Sequence, residues 1–209
     1  MVNTGDKRNA GDKRQRTRAQ LLEATRAVIR EKGLHAVSMQ EVAARVGMSR
    51  GAIYGNFRNR EDLIFGVLET LWQPVMPVLV RGASFREQMR IIGKAVAAAA
   101  AARLPMAVGA ASFQLYALSN PRMRRRIALG NEQIYAHISR ELLKFIEPAD
   151  LPMPVGRFVR VTHALSDGLM FGHFMAPELI TADVIVSAFE ALAGKAPTGS
   201  GARKSPRPG

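Results

Sequence analysis

Two places in this sequence hold side chains that could do chemistry. The first lies between residues 38 and 60, where Ser38, Gln40, Ser49, Arg50, Tyr54, Asn56 and Arg60 carry hydroxyl, amide and guanidinium groups around the small residues Gly51 and Ala52. Such donors suit nucleic acid. A guanidinium can reach guanine O6 and N7, Ala52 can touch a thymine methyl, and the groups on Tyr54, Asn56 and Arg60 suit phosphate oxygens, which fix register without reading sequence. The second place is His163 and Asp167, four residues apart and therefore on one helix face, together with Met170 and Phe174. They could be a base with its orienting partner, or two metal ligands. His173 falls off that face, His137 lies on another predicted helix, and no glycine-rich phosphate loop or metal-binding cluster accompanies them. A satisfied pair at an interface or pocket edge is the preferred reading, so no catalytic residue, metal site or cofactor is predicted.

The elements that must position the first group are legible in the same stretch. Ser38 followed by Glu41 forms a capping box, and Met39, Val42, Ala43 and Val46 recur at helical spacing behind it. Gly47 can take the left-handed conformation that closes a helix, and Ser49 can cap the next one, Arg50 to Asn56. The pattern is helix, turn, helix, with Arg50 at the start of the second helix and Ile53 and Phe57 as its buried anchors. In DNA-binding domains built this way, the second helix enters the major groove.

At this point the sequence resembles the DNA-binding domain of the TetR/AcrR family of bacterial transcriptional regulators. The resemblance rests on Thr17-Arg18 opening an amphipathic helix, Glu31-Lys32-Gly33 ending it, the Ser38 cap, Val42-Ala43, Gly47, Ser49-Arg50-Gly51, and Tyr54-Gly55-Asn56-Phe57 running into Asn59-Arg60-Glu61-Asp62-Leu63. It implies that Ser38, Gln40, Arg50, Gly51, Ala52, Tyr54, Asn56 and Arg60 face DNA. Asn56 stands where the family usually has histidine and Arg60 where it usually has lysine; both replacements still donate to phosphate.

Composition supports a globular reading. At 209 residues and 47% hydrophobic content the chain can bury a core. It has no cysteine, which removes disulfides, thiolate metal sites and cysteine nucleophiles together. No early apolar segment resembles a secretory signal and no run is expected to reach the length of a membrane span, so a cytoplasmic protein without a membrane partner is predicted. The net charge is +13 and is unevenly spread. Residues 1–18 hold six basic and two acidic side chains, residues 19–60 seven and three, residues 61–193 thirteen and twelve, and residues 194–209 four and none. The excess lies in the helix-turn-helix region and the two tails, as a protein approaching phosphates with one end requires.

The remaining chain reads as helices, giving an all-α fold of about nine. Residues 1–16 are expected to be a disordered basic arm, whose Lys13, Arg14 and Arg16, with Arg18, could reach the DNA backbone or remain a solvated tail. Residues 17–60 form the reading head, with a first helix from about Arg18 to Lys32. Residues 61–193 form a body for ligand binding and dimerisation, and residues 194–209 a second disordered basic tail. Within the body, Ser84 and Glu87 form another capping box before the alanine run 95–102, which suits close helix packing better than a cavity wall. Arg122, Arg124, Arg125 and Arg126 stand at a helix start, where cations are disfavoured, and read as a solvated or salt-bridging face.

The resemblance implies a homodimer whose last two helices pair with their mates. Ala164, Gly168 and Gly172 form a small-residue stripe for that contact, joined by Ile185, Ala188, Phe189 and Leu192. It also implies an effector cavity, for which Trp72, Met76, Met106, Phe113, Tyr116, His137, Met170 and Phe171 are the candidate lining, each equally suited to core packing. The expected partners are double-stranded operator DNA, a second copy of the chain and a small-molecule effector. A non-sequence-specific DNA-coating protein and a regulator without an effector are the alternatives.

Overall fold

The computed structural model describes residues 4–71 and 74–194, with side chains described for 12–67 and 74–194. Among these residues the chain forms α1 (Thr4–Lys32), α2 (Met39–Arg45), α3 (Arg50–Tyr54), α4 (Arg60–Leu71), α5 (Phe85–Arg103), α6 (Ala107–Ser119), α7 (Pro121–Leu142), α8 (Val155–Met175) and α9 (Ala182–Ala191). Short 3₁₀ turns lie at Leu34–Ala36, Leu104–Met106 and Pro148–Asp150, and no strand occurs among the described residues. The all-α expectation holds.

Helix starts follow the caps written in the sequence. The side chains of Ser38, Ser49 and Ser84 accept from the backbone N–H of Glu41, Ala52 and Glu87 at 3.1, 3.3 and 3.2 Å. Asn59 Oδ1 accepts from Asp62 N at 2.8 Å and opens α4, and Asn120 Oδ1 accepts from the N–H groups of Arg122 and Met123 ahead of α7. Gly33 and Gly47 have φ of 81° and 64°, the left-handed backbone that ends α1 and α2.

Two ends depart from expectation: α3 stops at Tyr54, short of Asn56, and α1 starts early. Helix α1 begins at Thr4, where a disordered arm over 1–16 and a start near Arg18 are predicted. No proline interrupts residues 4–17, and Gly5 and Gly11 each cost a helix only about 1 kcal/mol. Helix α7 stops at Leu142, because Lys144 N and Phe145 N turn to carbonyls three residues back. Helix α9 starts at Ala182, because Thr181 Oγ1 takes Val184 N as an N-cap. The basic tail over 195–209 lies outside the described residues.

The chain divides into two compact units that do not follow a single cut after Arg60. One contains residues up to Pro74 together with Pro105–Asn131, and the other contains Val75–Leu104 with Glu132 onward. In the first, Leu21, Val28, Leu34, Val37, Val42, Ile53, Phe57, Leu63 and Ile64 form the core, and Phe113 and Tyr116 of α6 pack against it. Gly109 lets α6 approach α1: a Cβ there would stand 3.4 Å from Ile29 Cγ2. In the second, Met89, Val96, Phe158, Val159, Met170, Ile185 and Phe189 form the core. Gln88 is fully buried there, donating to Val80 O at 2.5 Å and accepting from Val80 N at 3.2 Å, which ties the extended segment before α5 to the helix.

One apolar stretch exceeds the expectation drawn from hydropathy. Within Phe85–Ser119 a window with mean hydropathy 1.5 is long and apolar enough to cross a membrane by length and composition. Its hydropathy comes largely from the alanine run, and Met89, Gly93, Val96 and Ala100 face the core of the second unit.

Candidate nucleic-acid interface

The recognition helix α3 is five residues long and rests on two buried side chains, Ile53 at its centre and Phe57 just beyond it, exposed 0% and 1%. A helix this short is held by packing and caps. With those two residues pointing inward, Arg50, Gly51 and Tyr54 remain exposed and Ala52 half-buried. Arg50 Nη2 donates to Gln40 Oε1 at 3.0 Å, so α2 orients the guanidinium at the start of α3. No spacing rule announces this link, because the two residues sit on different helices. A Cβ at Gly51 would meet nothing nearer than Ser49 Oγ at 3.8 Å, leaving the surface beside Arg50 low enough for a base edge to approach. Ser38 and Ser49 use their oxygens as caps and keep their hydroxyl hydrogens for an outside acceptor. Ser38, Gln40, Ser49, Arg50, Gly51, Ala52 and Tyr54 are thus brought together around α2 and α3.

Two predicted phosphate contacts are occupied elsewhere. Arg60 donates from Nε to Val37 O at 2.7 Å and from Nη2 to Leu34 O at 2.8 Å, with its guanidinium 5.5 Å from the Tyr116 ring centre. It therefore satisfies the carbonyls of the 3₁₀ turn between α1 and α2. Asn56 is half-buried and donates from Nδ2 to Ala52 O at 2.8 Å, while its buried Oδ1 has no hydrogen-bond partner among the described residues. The basic arm behaves similarly in part. Arg14 donates to Gly55 O at 3.1 Å, and Arg18 donates to Asn56 O at 3.3 Å and stacks 4.4 Å from the Phe57 ring centre. Lys13 and Arg16 stay exposed.

Ion pairs frame the turn. Lys32 meets Glu41 at 2.7 Å, and the hydrogen bond and charge of Lys32 hold the Glu41 carboxyl below its ordinary value. Of the four clustered arginines, Arg126 pairs with Asp62 at 2.9 Å and lies 3.7 Å from the Phe65 ring centre. Burial pushes the Asp62 carboxyl up, but hydrogen bonds from the Arg58 backbone and from the Arg126 and Arg58 side chains outweigh it, so its pKa is lowered.

The other predicted sites separate. Met106, Phe113 and Tyr116 belong to the first unit, while Met76, His137, Met170 and Phe171 belong to the second. Trp72 lies outside the described residues. His137 and Met76 are exposed, Met170 is buried, and Phe171 stacks edge-on with Phe174 at 5.5 Å. Of the dimer candidates, Ala164 and Gly168 are exposed on α8, and a Cβ at Gly168 would meet nothing within 4 Å. Gly172 instead faces Ile180: a Cβ there would stand 3.2 Å from Ile180 Cγ1. Ile185 and Phe189 are 0% exposed within the single chain, because the apolar face of α9 packs on α5. Ala188 and Leu192 are half-buried.

Comparison with known proteins agrees with this architecture. Residues 21–67 match the family model described as "Bacterial regulatory proteins, tetR family". The HTH-type transcriptional regulator TtgR of Pseudomonas putida is 33% identical over 64 residues, which is 31% of this chain and 30% of TtgR, so the match spans under a third of that relative. A transcriptional regulator from Rhodococcus sp. Rha1 superposes with TM-score 0.59 at 22% identity, over 85% of this chain and 94% of that one. NalD of Pseudomonas aeruginosa, the secondary repressor of the MexAB-OprM multidrug efflux pump, gives TM-score 0.56 at 21% identity, over 84% and 93%. Residues 21–67, with the capped helix-turn-helix at their centre, thus carry the DNA-binding domain of the tetR family of bacterial regulatory proteins, set in an all-helical fold shared with those solved structures.

Proposed function

We propose that this protein is a sequence-specific DNA-binding transcriptional regulator that acts in the cytoplasm as a homodimer. It represses by occupying a pseudo-palindromic operator and is released when a small, mainly apolar effector binds the body. The observation that carries the DNA reading is Arg50, exposed at the start of the capped helix α3 and oriented by Gln40 at 3.0 Å. Ser38, Gln40, Ser49, Gly51, Ala52 and Tyr54 complete the face, with the serine hydroxyls and Tyr54 directed to phosphates and Arg50 to a base edge. Asn56 and Arg60 support that face from behind.

Dimerisation is assigned to α8 and α9. Val161, Ala164, Gly168 and Met175 share one side of α8 and are exposed, and Met175 and Leu179 are 84% and 69% exposed at its end. A two-fold pairing through this side would present two reading heads to two half-sites. Release follows if effector and operator favour different conformations of the dimer.

The test is a binding titration against DNA upstream of this protein's own gene and its neighbours, with random duplex as competitor and salt varied. Tight binding that resists competitor and leaves a footprint with two-fold symmetry is the expected result. Weak binding that collapses with salt and ignores sequence would replace the proposal with a DNA-coating role.

A further inference from the structure

Asn56 and Arg60, two side chains expected on phosphates, are spent inside the head, so charge that meets the DNA backbone beside α3 has to come from elsewhere. Residues 105–131 hold four basic side chains and no acidic one, and all four, Arg122, Arg124, Arg125 and Arg126, fall in the first two turns of α7. Cations are disfavoured at the positive end of a helix, so this placement works against the helix that carries it. A local rule broken in this way points to a function.

Two of the four are engaged internally. Arg126 pairs with Asp62 at 2.9 Å and covers the Phe65 ring, and Arg124 Nη1 donates to Leu118 O at 2.7 Å. Arg122 and Arg125 are exposed, and neither has an ion pair among the described residues. Arg125 and Arg126 follow Arg122 by three and four residues, so these three share one side of α7, whereas Arg124 falls on another. The shared side meets the loop that follows the recognition helix. Arg58, between α3 and α4, donates from its backbone N–H to Asp62 Oδ2 at 3.1 Å, and its Nη2 lies 3.5 Å from Oδ1. That same oxygen holds Arg126, so Asp62 gathers one arginine from the loop and one from α7. Asn120 Nδ2 donates to Glu61 Oε1 at 2.9 Å, which engages the other acid of that turn. Arg122 and Arg125 are thus left without a counter-charge, near an Arg58 side chain that is 82% exposed.

We propose that Arg58, Arg122 and Arg125 form a phosphate clamp, built from α7 and the α3–α4 loop, that grips the DNA backbone beside the bases read by α3. All three belong to the same compact unit as α3. A guanidinium presents a fork of donors matched to phosphate oxygens, and a duplex supplies a row of phosphates that separate arginines can share. The clamp takes the role that Asn56 and Arg60 give up, and it reads no sequence. This assignment rests on the DNA-binding reading above and adds a surface to it.

Binding of the full chain to operator and to random duplex, titrated over a range of salt, tests it. Each phosphate contact contributes about 0.9 to the slope of log affinity against log salt, so Arg122→Gln with Arg125→Gln is expected to make the slope for a dimer shallower by roughly 3.6. Operator and random duplex should weaken by the same factor, and the urea midpoint should hold or rise because cations leave a helix start. Arg124→Gln, and Lys94→Gln with Arg140→Gln on exposed positions of the second unit, control for charge alone and are expected to leave the slope nearly unchanged. An unchanged slope, a change matched by either control, or a loss confined to the operator would overturn the clamp. Methylphosphonate duplexes give a reading that needs no variant. Neutralising single phosphates that flank each half-site is expected to weaken the parent chain, and indifference at every flanking phosphate overturns the clamp even where a variant misfolds. The two readings fail separately. A parent chain that binds operator no better than random duplex overturns sequence-specific regulation, while a slope that depends on Arg122 and Arg125 still upholds the clamp. Operator preference with an unaltered slope does the reverse.

Discussion

Arg50 stands exposed at the start of α3 with Gln40 as its one described partner, whereas Arg60, ten residues on, is spent on the carbonyls of Leu34 and Val37. Replacing each by alanine therefore separates reading from folding. Arg50→Ala is expected to relax preference at one base position, at a cost of about 1–3 kcal/mol in operator binding, with the urea midpoint unchanged. Arg60→Ala is expected to lower unfolding stability by about 1–3 kcal/mol, because two carbonyls lose a forked donor, and Arg60→Lys recovers only part of that since an ammonium cannot fork. Urea unfolding and a base-by-base operator scan on the same two proteins check both. At this scale the clustering of the proposed DNA-reading residues around α2 and α3 was legible, because they sit on a short local pattern. The role of Arg60 was not, because its acceptors lie 23 and 26 residues upstream. Separation along the chain also hid the Gln40–Arg50 link, between two helices ten residues apart, and the stacking of Arg18 on Phe57, 39 residues on.

Elements begin where short-range chemistry says they should and meet where it says nothing. Ser38, Ser49 and Ser84 each cap a helix through an N–H three residues ahead, which is why those starts could be read from the chain. The contact between α5 and α9 depends instead on Gly93, where a Cβ would stand 2.9 Å from Val186 Cα. Gly93→Ala is expected to destabilise the second unit by about 1–3 kcal/mol in urea unfolding despite alanine's better helix propensity, because backbone must move to admit the methyl. This closeness also explains why Ile185 and Phe189, predicted at a dimer surface, are core: periodicity shows that α9 has an apolar face but not which neighbour covers it. Between α4 and α7, the Asp62–Arg126 pair contributes in a pH-dependent way. The folded Asp62 pKa is lowered, so its contribution is complete above the unfolded value of about 3.9 and is lost as pH falls through the folded value. Asp62→Asn should cost up to about 1 kcal/mol at neutral pH, and the gap to the parent protein should close below about pH 4 in acid-titrated unfolding curves.

At the scale of the molecule, the proposed dimerisation rests on the side of α8 that the chain leaves exposed. Gly168 has open space around it, so Gly168→Glu should leave the helical fold and protomer stability intact while shifting sedimentation toward monomer and weakening operator binding. A variant that remains dimeric would move the interface away from this side of α8. The division into head and body was legible only in outline. Charge and motif located the head, but the membership of α6 and the first half of α7 depends on long-range packing of Phe113 and Tyr116 that no local pattern announces. That division has a practical consequence for protein engineering. The polypeptide passes between the units at 74/75, at 104/105 and again at 131/132. A chimera that borrows another regulator's operator preference by splicing once after residue 60 or 74 would strip the head of α6 and hand the recipient an orphaned apolar surface. Specificity in this scaffold is better transplanted as the few side chains of α2 and α3, or as two segments grafted together through three junctions.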